Sequence, residues 1–150
     1  MKRYKYIAIG IILILLVAGT LIFLNHSKNT TFNEIVMKDI NTDEISSLQV
    51  ISRLYNSADE DERSLTDKNE INKIVDYFSQ LELKRTNLSN ISYTESYWIT
   101  IKVNRELAFG LILYDNHYIN IFEYNRGRSS YYKITSKVDP TVVIQELFKK

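Results

Sequence analysis

Few side chains of this 150-residue chain offer the chemistry that an enzyme needs. The sequence has no cysteine and only two histidines, His26 and His117. A Ser–His–Asp set can be written from Ser129, His117 and Asp115, but a chain with many serines allows such sets by chance. The lack of cysteine excludes disulfides, thiolate metal sites and cysteine nucleophiles. We therefore predict no catalytic residues, no cofactor and no enzymatic activity.

The charged residues give little support for metal ions or nucleic acids as ligands. Acidic residues occupy positions 59–62 without interruption, yet they lack the D-x-D-x-D-G order and the distal glutamate of a calcium loop. The net charge of +1 supplies no basic field to hold a nucleic acid backbone. We predict a solvated acidic loop, no metal site and no nucleic acid partner.

Aromatic residues on two predicted strands form the main candidate for a binding surface. The segments YWITIKV (97–103) and YINIFEY (118–124) alternate, with aliphatic residues on one face of each strand. The opposite face carries four aromatic residues: Trp98, Tyr118, Phe122 and Tyr124. Either the C-terminal helix covers this face, or the face is partly open to a protein or peptide partner, for which Trp and Tyr are well suited. Stacking of a sugar is a variant of the second interpretation.

Two arginines near these aromatic residues form a second candidate. Arg126 and Arg128 flank Gly127 at the tip of a predicted hairpin. Such a pair can bind an anion, for example a lipid head group or the phosphate of a wall polymer. The alternative is an ordinary turn, in which glycine supplies a positive φ and the cations keep the tip solvated.

Two helices are predicted to position these candidates. Asp67 is a helix N-cap, Glu70 completes a capping pattern, and the apolar residues that follow recur at helical spacing. This pattern predicts an amphipathic central helix over 67–80 that packs on a sheet. A second helix begins at Asp139 and Pro140 and extends to the end of the chain.

Alternating segments predict the sheet itself. The segment SSLQVISRLYN (46–56) is typical of a strand. Five later segments alternate in the same way: 81–86, 97–103, 107–114, 118–124 and 130–135. Most breaks between them are short and rich in turn residues, which favours hairpins and a sequential antiparallel order. The predicted fold class is α+β, with an N-terminal transmembrane helix followed by a mainly antiparallel meander sheet, one central helix and one C-terminal helix.

The transmembrane prediction comes from an apolar run near the N-terminus. Residues 7–24 carry no charge, and these eighteen residues would span roughly 27 Å as a helix, near the thickness of a bilayer core. Three cations precede the run, so the positive-inside rule places the N-terminus in the cytoplasm. A cleaved signal peptide is the alternative, although the run continues beyond its small-residue cluster. The sequence therefore predicts four parts. They are a cytoplasmic basic tail (1–6), a cell-membrane anchor (7–24), a tether (25–33) and an extracytoplasmic domain (34–150).

This layout resembles a group of small proteins with a single anchor. The segments SSLQVIS, LTDKNEINKIVDYF and YYKI, taken in this order, are similar to those of small membrane-anchored extracytoplasmic domains of unknown function in Gram-positive bacteria. The similarity covers residues 45–148. Relatives of this kind often carry a lipobox cysteine, which this chain lacks. The resemblance implies an extracytoplasmic location and no catalytic residues.

The sequence predicts a binding protein. Our leading hypothesis is a single-pass membrane protein whose extracytoplasmic domain binds a protein or peptide at the cell surface, in an accessory, immunity or sensing role. The alternative is a domain that binds a small ligand or a wall polymer through its aromatic sheet face and Arg126 and Arg128. The sequence specifies no oligomeric state.

Overall fold

The computed structural model of the protein describes residues 10–20, 28–87 and 91–149. Residues 10–20 form helix α1. The other two α-helices are α2 (Lys68–Phe78) and α3 (Thr141–Glu146). The strands are β1 (Asn29–Thr31), β2 (Ile45–Leu54), β3 (Glu60–Leu65), β4 (Glu82–Thr86), β5 (Glu95–Val103), β6 (Glu106–Tyr114), β7 (Tyr118–Glu123) and β8 (Arg128–Ile134). Short π-helical or 3-10 turns lie at Asn33–Met37, Thr42–Glu44 and Tyr124–Arg126.

All eight described strands belong to one antiparallel sheet, in the order β1-β4-β8-β7-β6-β5-β2-β3. Strands β5 to β8 pair in sequence as a meander. The earlier strands extend the sheet at both sides, because β2 pairs with β5 and β4 pairs with β8. The sheet is therefore wider than the meander that the sequence predicts.

Helix α2 covers one face of this sheet. Its start is fixed by Asp67, whose carboxylate accepts hydrogen bonds from the amides of Asn69 at 2.8 Å and Glu70 at 3.2 Å. Its apolar stripe is buried: Ile71, Ile74, Val75 and Phe78. Burial of each such side chain stabilises the fold by roughly 1.5–3 kcal/mol. The stripe packs with inward residues of the central strands, among them Leu48, Val50, Ile99, Ile101 and Leu111.

Helix α3 packs on the same face as α2. Val143 and Ile144 join the core that α2 covers. Lys73 of α2 forms a salt bridge with Glu146 at 2.6 Å. Because both helices lie on one side, the C-terminal helix does not cover Trp98, Phe122 and Tyr124.

The predicted fold class is wrong in its N-terminal element. In the part of residues 7–24 that the structure describes, helix α1 has eleven residues, or about 16 Å at 1.5 Å per residue, which is roughly half of a bilayer core. Among the described residues, no helix has the length and apolar character required to cross a membrane. The side chains of 11–20 are exposed. The remaining residues of the predicted anchor lie outside the described residues, as do 1–6.

Two segments predicted to lie outside the sheet form strands instead. Of the predicted tether, 25–27 lie outside the described residues, while Asn29–Thr31 form β1 on the edge of β4. Much of the predicted acidic loop belongs to β3, which pairs with β2 over Glu60–Leu65. Backbone pairing needs no apolar side chain, and charged residues are common on edge strands because they prevent further pairing. Hydrophobic alternation therefore gives no signal for either strand.

Candidate functional site

The candidate site lies on the face of the sheet opposite α2 and α3, which we call the aromatic face. Cross-strand pairing places Trp98 beside Ile112 on this face, while its neighbour Ile99 points into the core. No described helix covers Trp98, and its exposed fraction is 43%. The face and its margins carry eight aromatic residues: Tyr55, Tyr93, Trp98, Tyr114, Tyr118, Phe122, Tyr124 and Tyr131.

Three of the sequence-predicted residues, Trp98, Phe122 and Tyr124, line one shallow open cavity of about 270 Å³. The rings of Phe122 and Tyr124 meet edge to face, with their centroids 4.9 Å apart. Tyr118 does not line this cavity and pairs instead with Tyr114, further along the face. We call this space the Trp98 cavity.

A glycine makes room for the cavity wall. The short turn Tyr124–Arg126 that follows β7 brings the Tyr124 ring over Gly110 of β6. A Cβ atom at position 110 would lie 3.3 Å from the Tyr124 ring. The sequence analysis missed Gly110, because a glycine inside a strand marks a close approach without saying what approaches it.

A buried amide forms part of the cavity floor. Asn120 is 6% exposed, and its side-chain amide donates hydrogen bonds to the hydroxyl of Ser129 at 2.8 Å and to the carbonyl of Ser130 at 3.3 Å. The Ser129 hydroxyl donates to the Asn120 side-chain oxygen at 3.2 Å. This network ties β7 to β8 beneath the rings and holds a polar group at the edge of an apolar cavity.

Arg53 of β2 flanks the cavity on the other side. Its guanidinium lies 5.2 Å from the centroid of the Trp98 ring, which is within the range of a cation–π contact. The same guanidinium forms a salt bridge with Glu60 of β3. The missed strand β3 therefore helps to place Arg53 against Trp98.

A tyrosine cluster continues the aromatic face beyond the cavity. The ring of Tyr93 contacts Tyr55 at 5.2 Å and Tyr114 at 5.1 Å between centroids, both edge to face. Burial raises the pKa of Tyr114, and the nearby Tyr131 and Tyr93 raise it further. The Tyr114 phenol therefore stays neutral at physiological pH. The cluster presents hydroxyl groups along the face.

The arginine pair is not arranged as a free anion site. Arg126 forms salt bridges of 3.0 Å with both Asp39 and Glu123. Gly127 has a φ of +57°, which supports the turn interpretation of this segment. Arg128 is exposed and pairs in the sheet with Glu123. Neither arginine lines the Trp98 cavity.

In the structure, Ser129 and Asp115 of the Ser–His–Asp combination have other hydrogen-bond partners. Ser129 bonds to Asn120, whereas the Asp115 carboxylate accepts hydrogen bonds from Thr94 and from the backbone of Glu95. Burial acts to raise the pKa of Asp115, but these hydrogen bonds outweigh burial and the pKa is lowered. Among the described residues, no three His, Cys, Asp or Glu side chains are grouped as metal ligands would be.

No protein family, no curated protein and no solved structure matches this chain. The resemblance to small extracytoplasmic domains of Gram-positive bacteria stays a prediction.

Proposed function

We propose that this protein is a binding module whose aromatic face receives a peptide segment of a partner protein. The observation that carries the proposal is the position of the two helices. Both α2 and α3 pack on the aliphatic face, and Trp98 is left 43% exposed on the other. Exposed aromatic clusters of this kind are a common mark of interaction surfaces. An accessory, immunity or sensing role is consistent with such a module.

The extent of the aromatic face favours a protein over a small molecule. The Trp98 cavity, at about 270 Å³, is below the usual range of small-molecule pockets, about 300–1,000 Å³. The tyrosine cluster extends the contact surface across further strands. Tyrosine, serine and asparagine also dominate antibody paratopes, where rigid rings supply contact area and small polar groups supply hydrogen bonds.

The chemistry of the face indicates which peptide it would bind. The Trp98 cavity suits one apolar or aromatic side chain, because its walls are rings and its floor contains Ile112. The phenol groups of the face offer hydrogen bonds at the edge of that side chain. We expect an anchor residue in the cavity and polar contacts along the tyrosine cluster.

Site-specific photo-crosslinking tests this proposal. A photoreactive phenylalanine derivative at position 124 lies on the aromatic face. The same derivative at position 142 lies on the exposed side of α3. We expect position 124 to yield a discrete adduct that position 142 does not yield. The captured protein, once purified, should bind the unmodified chain at least tenfold more tightly than it binds Trp98→Ala.

Two results would contradict the proposal. One is the same set of adducts from both positions, and the other is equal affinity of the captured protein for the unmodified chain and for Trp98→Ala. Ligand binding to the Trp98 cavity is the competing explanation. Because Trp98 is the single tryptophan of the chain, a change in its fluorescence with a purified sugar or other small ligand would favour that explanation.

A further inference from the structure

Strand β3 is the last strand of the sheet on the side of β2. All six of its residues, Glu60–Leu65, pair with β2, and among the described residues no strand pairs with its other edge. In an antiparallel pair, alternate residues direct their backbone N–H and C=O groups away from the partner strand. Five of the six residues are exposed. The outer edge of β3 therefore offers backbone groups to a further strand.

An open cavity of about 450 Å³ lies between β3 and the two helices that cover the sheet. Four apolar residues line it, one from β3, one from α2 and two from α3 and its end: Leu65, Ile74, Val143 and Leu147. We call it the edge cavity, because β3 is the outermost strand that contributes to it. It shares no lining residue with the Trp98 cavity.

Most of the charged groups that line the edge cavity contact other groups of the protein. Lys73 of α2 forms its salt bridge with Glu146 of α3, and the Arg63 side chain of β3 donates to the carbonyl of Leu147 at 3.2 Å. The fourth charged residue, Glu70, lies in the first turn of α2, where a carboxylate complements the helix dipole. The apolar residues are thus the part of the lining that a ligand would cover, and they suit an apolar side chain.

The other face of β3 is acidic. Glu62 lies on the same face as Trp98, because both pair with Ile51 of β2, and Glu60 lies on this face two residues before it. The Gln49 side chain donates to one oxygen of Glu62 at 2.7 Å. A strand added at the outer edge would place its own alternate side chains directly beside these carboxylates, where cations are favoured.

A second copy of β3 does not suit this edge. Residues directly opposite each other in an antiparallel pair share a face, so a two-fold axis between two copies of β3 passes through one residue of the strand. An axis at Asp61, Glu62 or Arg63 places that charged residue directly opposite its own copy, which is destabilising. Charges of this kind keep an edge strand from pairing with itself. They do not oppose a strand that carries lysine or arginine.

We propose that the outer edge of β3 binds an extended peptide segment of a partner protein, in which basic and apolar residues alternate. Main-chain hydrogen bonds to β3 supply affinity, and apolar side chains directed into the edge cavity supply specificity. The basic side chains lie on the opposite face, beside Glu60 and Glu62. This site is independent of the proposed site on the aromatic face, because the two cavities use different residues.

Titration of the full-length chain with a synthetic peptide tests the edge. The probe has six residues in which lysine and valine alternate, with both ends blocked. At constant ionic strength, the amide NMR signals of Glu60–Leu65 should shift in a saturable way, while the indole signal of Trp98 should not. A control peptide of the same composition, with three lysines followed by three valines, should bind at least tenfold more weakly.

Charge reversal on β3 tests the choice of a basic partner. The double variant Asp61→Lys/Glu62→Lys should lose at least tenfold in affinity for the alternating peptide. The matched control Asp76→Lys/Glu106→Lys makes the same change of charge at exposed positions outside the edge cavity. It should bind the peptide as the unmodified chain does, and both variants should melt at the temperature of the unmodified chain.

Methylation of the peptide backbone tests strand pairing without any change to the protein. In a strand added to β3, the amides of either the lysines or the valines point to β3, and those of the other set point to solvent. Of two alternating peptides, one N-methylated on its lysines and one on its valines, one should lose binding and the other should keep it. Equal binding of these two peptides would overturn the proposal, as would equal binding of the alternating and the block-order peptide.

Discussion

The two faces of the sheet are made by the same strands, yet one is a core and the other is a surface. Ile99 and Trp98 are neighbours on β5, but Ile99 is 2% exposed under the helices while Trp98 is 43% exposed. The aliphatic face is mainly apolar and is covered by α2 and α3. The aromatic face carries rings with polar tips, which tolerate water and also bind partners well. The side on which the helices pack therefore decides which residues are available for binding.

The largest expected effect compares one phenylalanine from each side. Phe78 of α2 is 1% exposed, so Phe78→Ala should lower the free energy of unfolding by about 3–5 kcal/mol. Phe122→Ala, on the half-buried aromatic face, is the matched control and should cost less than half as much. Urea unfolding measures both. Equal losses would mean that the aromatic face is as much a core as the helix-covered face.

A smaller effect is expected when the Trp98 cavity is closed. Gly110→Val places a branched side chain where the Tyr124 ring now lies, 3.3 Å from the position of a Cβ atom. We expect affinity for the captured partner to fall about tenfold, which is about 1.4 kcal/mol, with little change in unfolding because valine suits a strand. Gly110→Ala requires a smaller shift of Tyr124 and should lose less. Unchanged affinity in Gly110→Val would remove the cavity from the binding surface.

Hydroxyl deletion on each face gives a still smaller contrast. Tyr97 points to the helix-covered side and donates a hydrogen bond to Glu95 at 2.8 Å, while Gln145 of α3 donates to the same carboxylate at 3.0 Å. Burial, followed by this bond to Glu95, raises the pKa of Tyr97. Tyr97→Phe should therefore cost about 0.5–1.5 kcal/mol. Tyr114→Phe on the aromatic face should cost close to nothing, and the opposite order in urea unfolding would contradict the assignment of faces.

The pH dependence of stability tests the hydrogen bonds that the Asp115 carboxylate accepts at the start of β5. Asp115 holds the start of β5 through the amides of Thr94 and Glu95 at 3.1 and 3.0 Å, and its pKa is lowered in the folded protein. Its contribution is complete above the unfolded pKa of about 3.9 and is lost as the pH falls through the lower folded value. Asp115→Asn should thus lower the melting temperature at pH 7, and the difference should shrink below about pH 4. A difference that is constant from pH 7 to pH 3 would exclude this role.

Local patterns account for the elements that the sequence predicts well. The cap at Asp67 and the apolar stripe up to Phe78 are both local, and the helix begins and ends within two residues of the predicted bounds. The four meander strands follow from alternation and turn residues in the same way. Trp98 and Phe122 share a face because of strand alternation, whereas the turn Tyr124–Arg126 brings Tyr124 to them.

Long-range packing decides what the sequence did not predict. Helix α3 carries three consecutive apolar residues, Val142, Val143 and Ile144. In the folded protein Val143 and Ile144 are buried in the core and Val142 is exposed, which the local pattern does not indicate. Strand β3 depends on backbone pairing with β2, which its acidic residues do not reveal. The apolar composition of 7–24 predicts a spanning helix, whereas among the described residues no helix has that length.

The most direct test of the open aromatic face is fluorescence quenching of Trp98, the single tryptophan of the chain. The full-length protein is titrated with acrylamide under native conditions and again in concentrated urea. We predict native emission typical of a solvated indole and a quenching constant at least half of that in urea. Blue-shifted emission with strong protection from acrylamide in the native protein would contradict an open aromatic face.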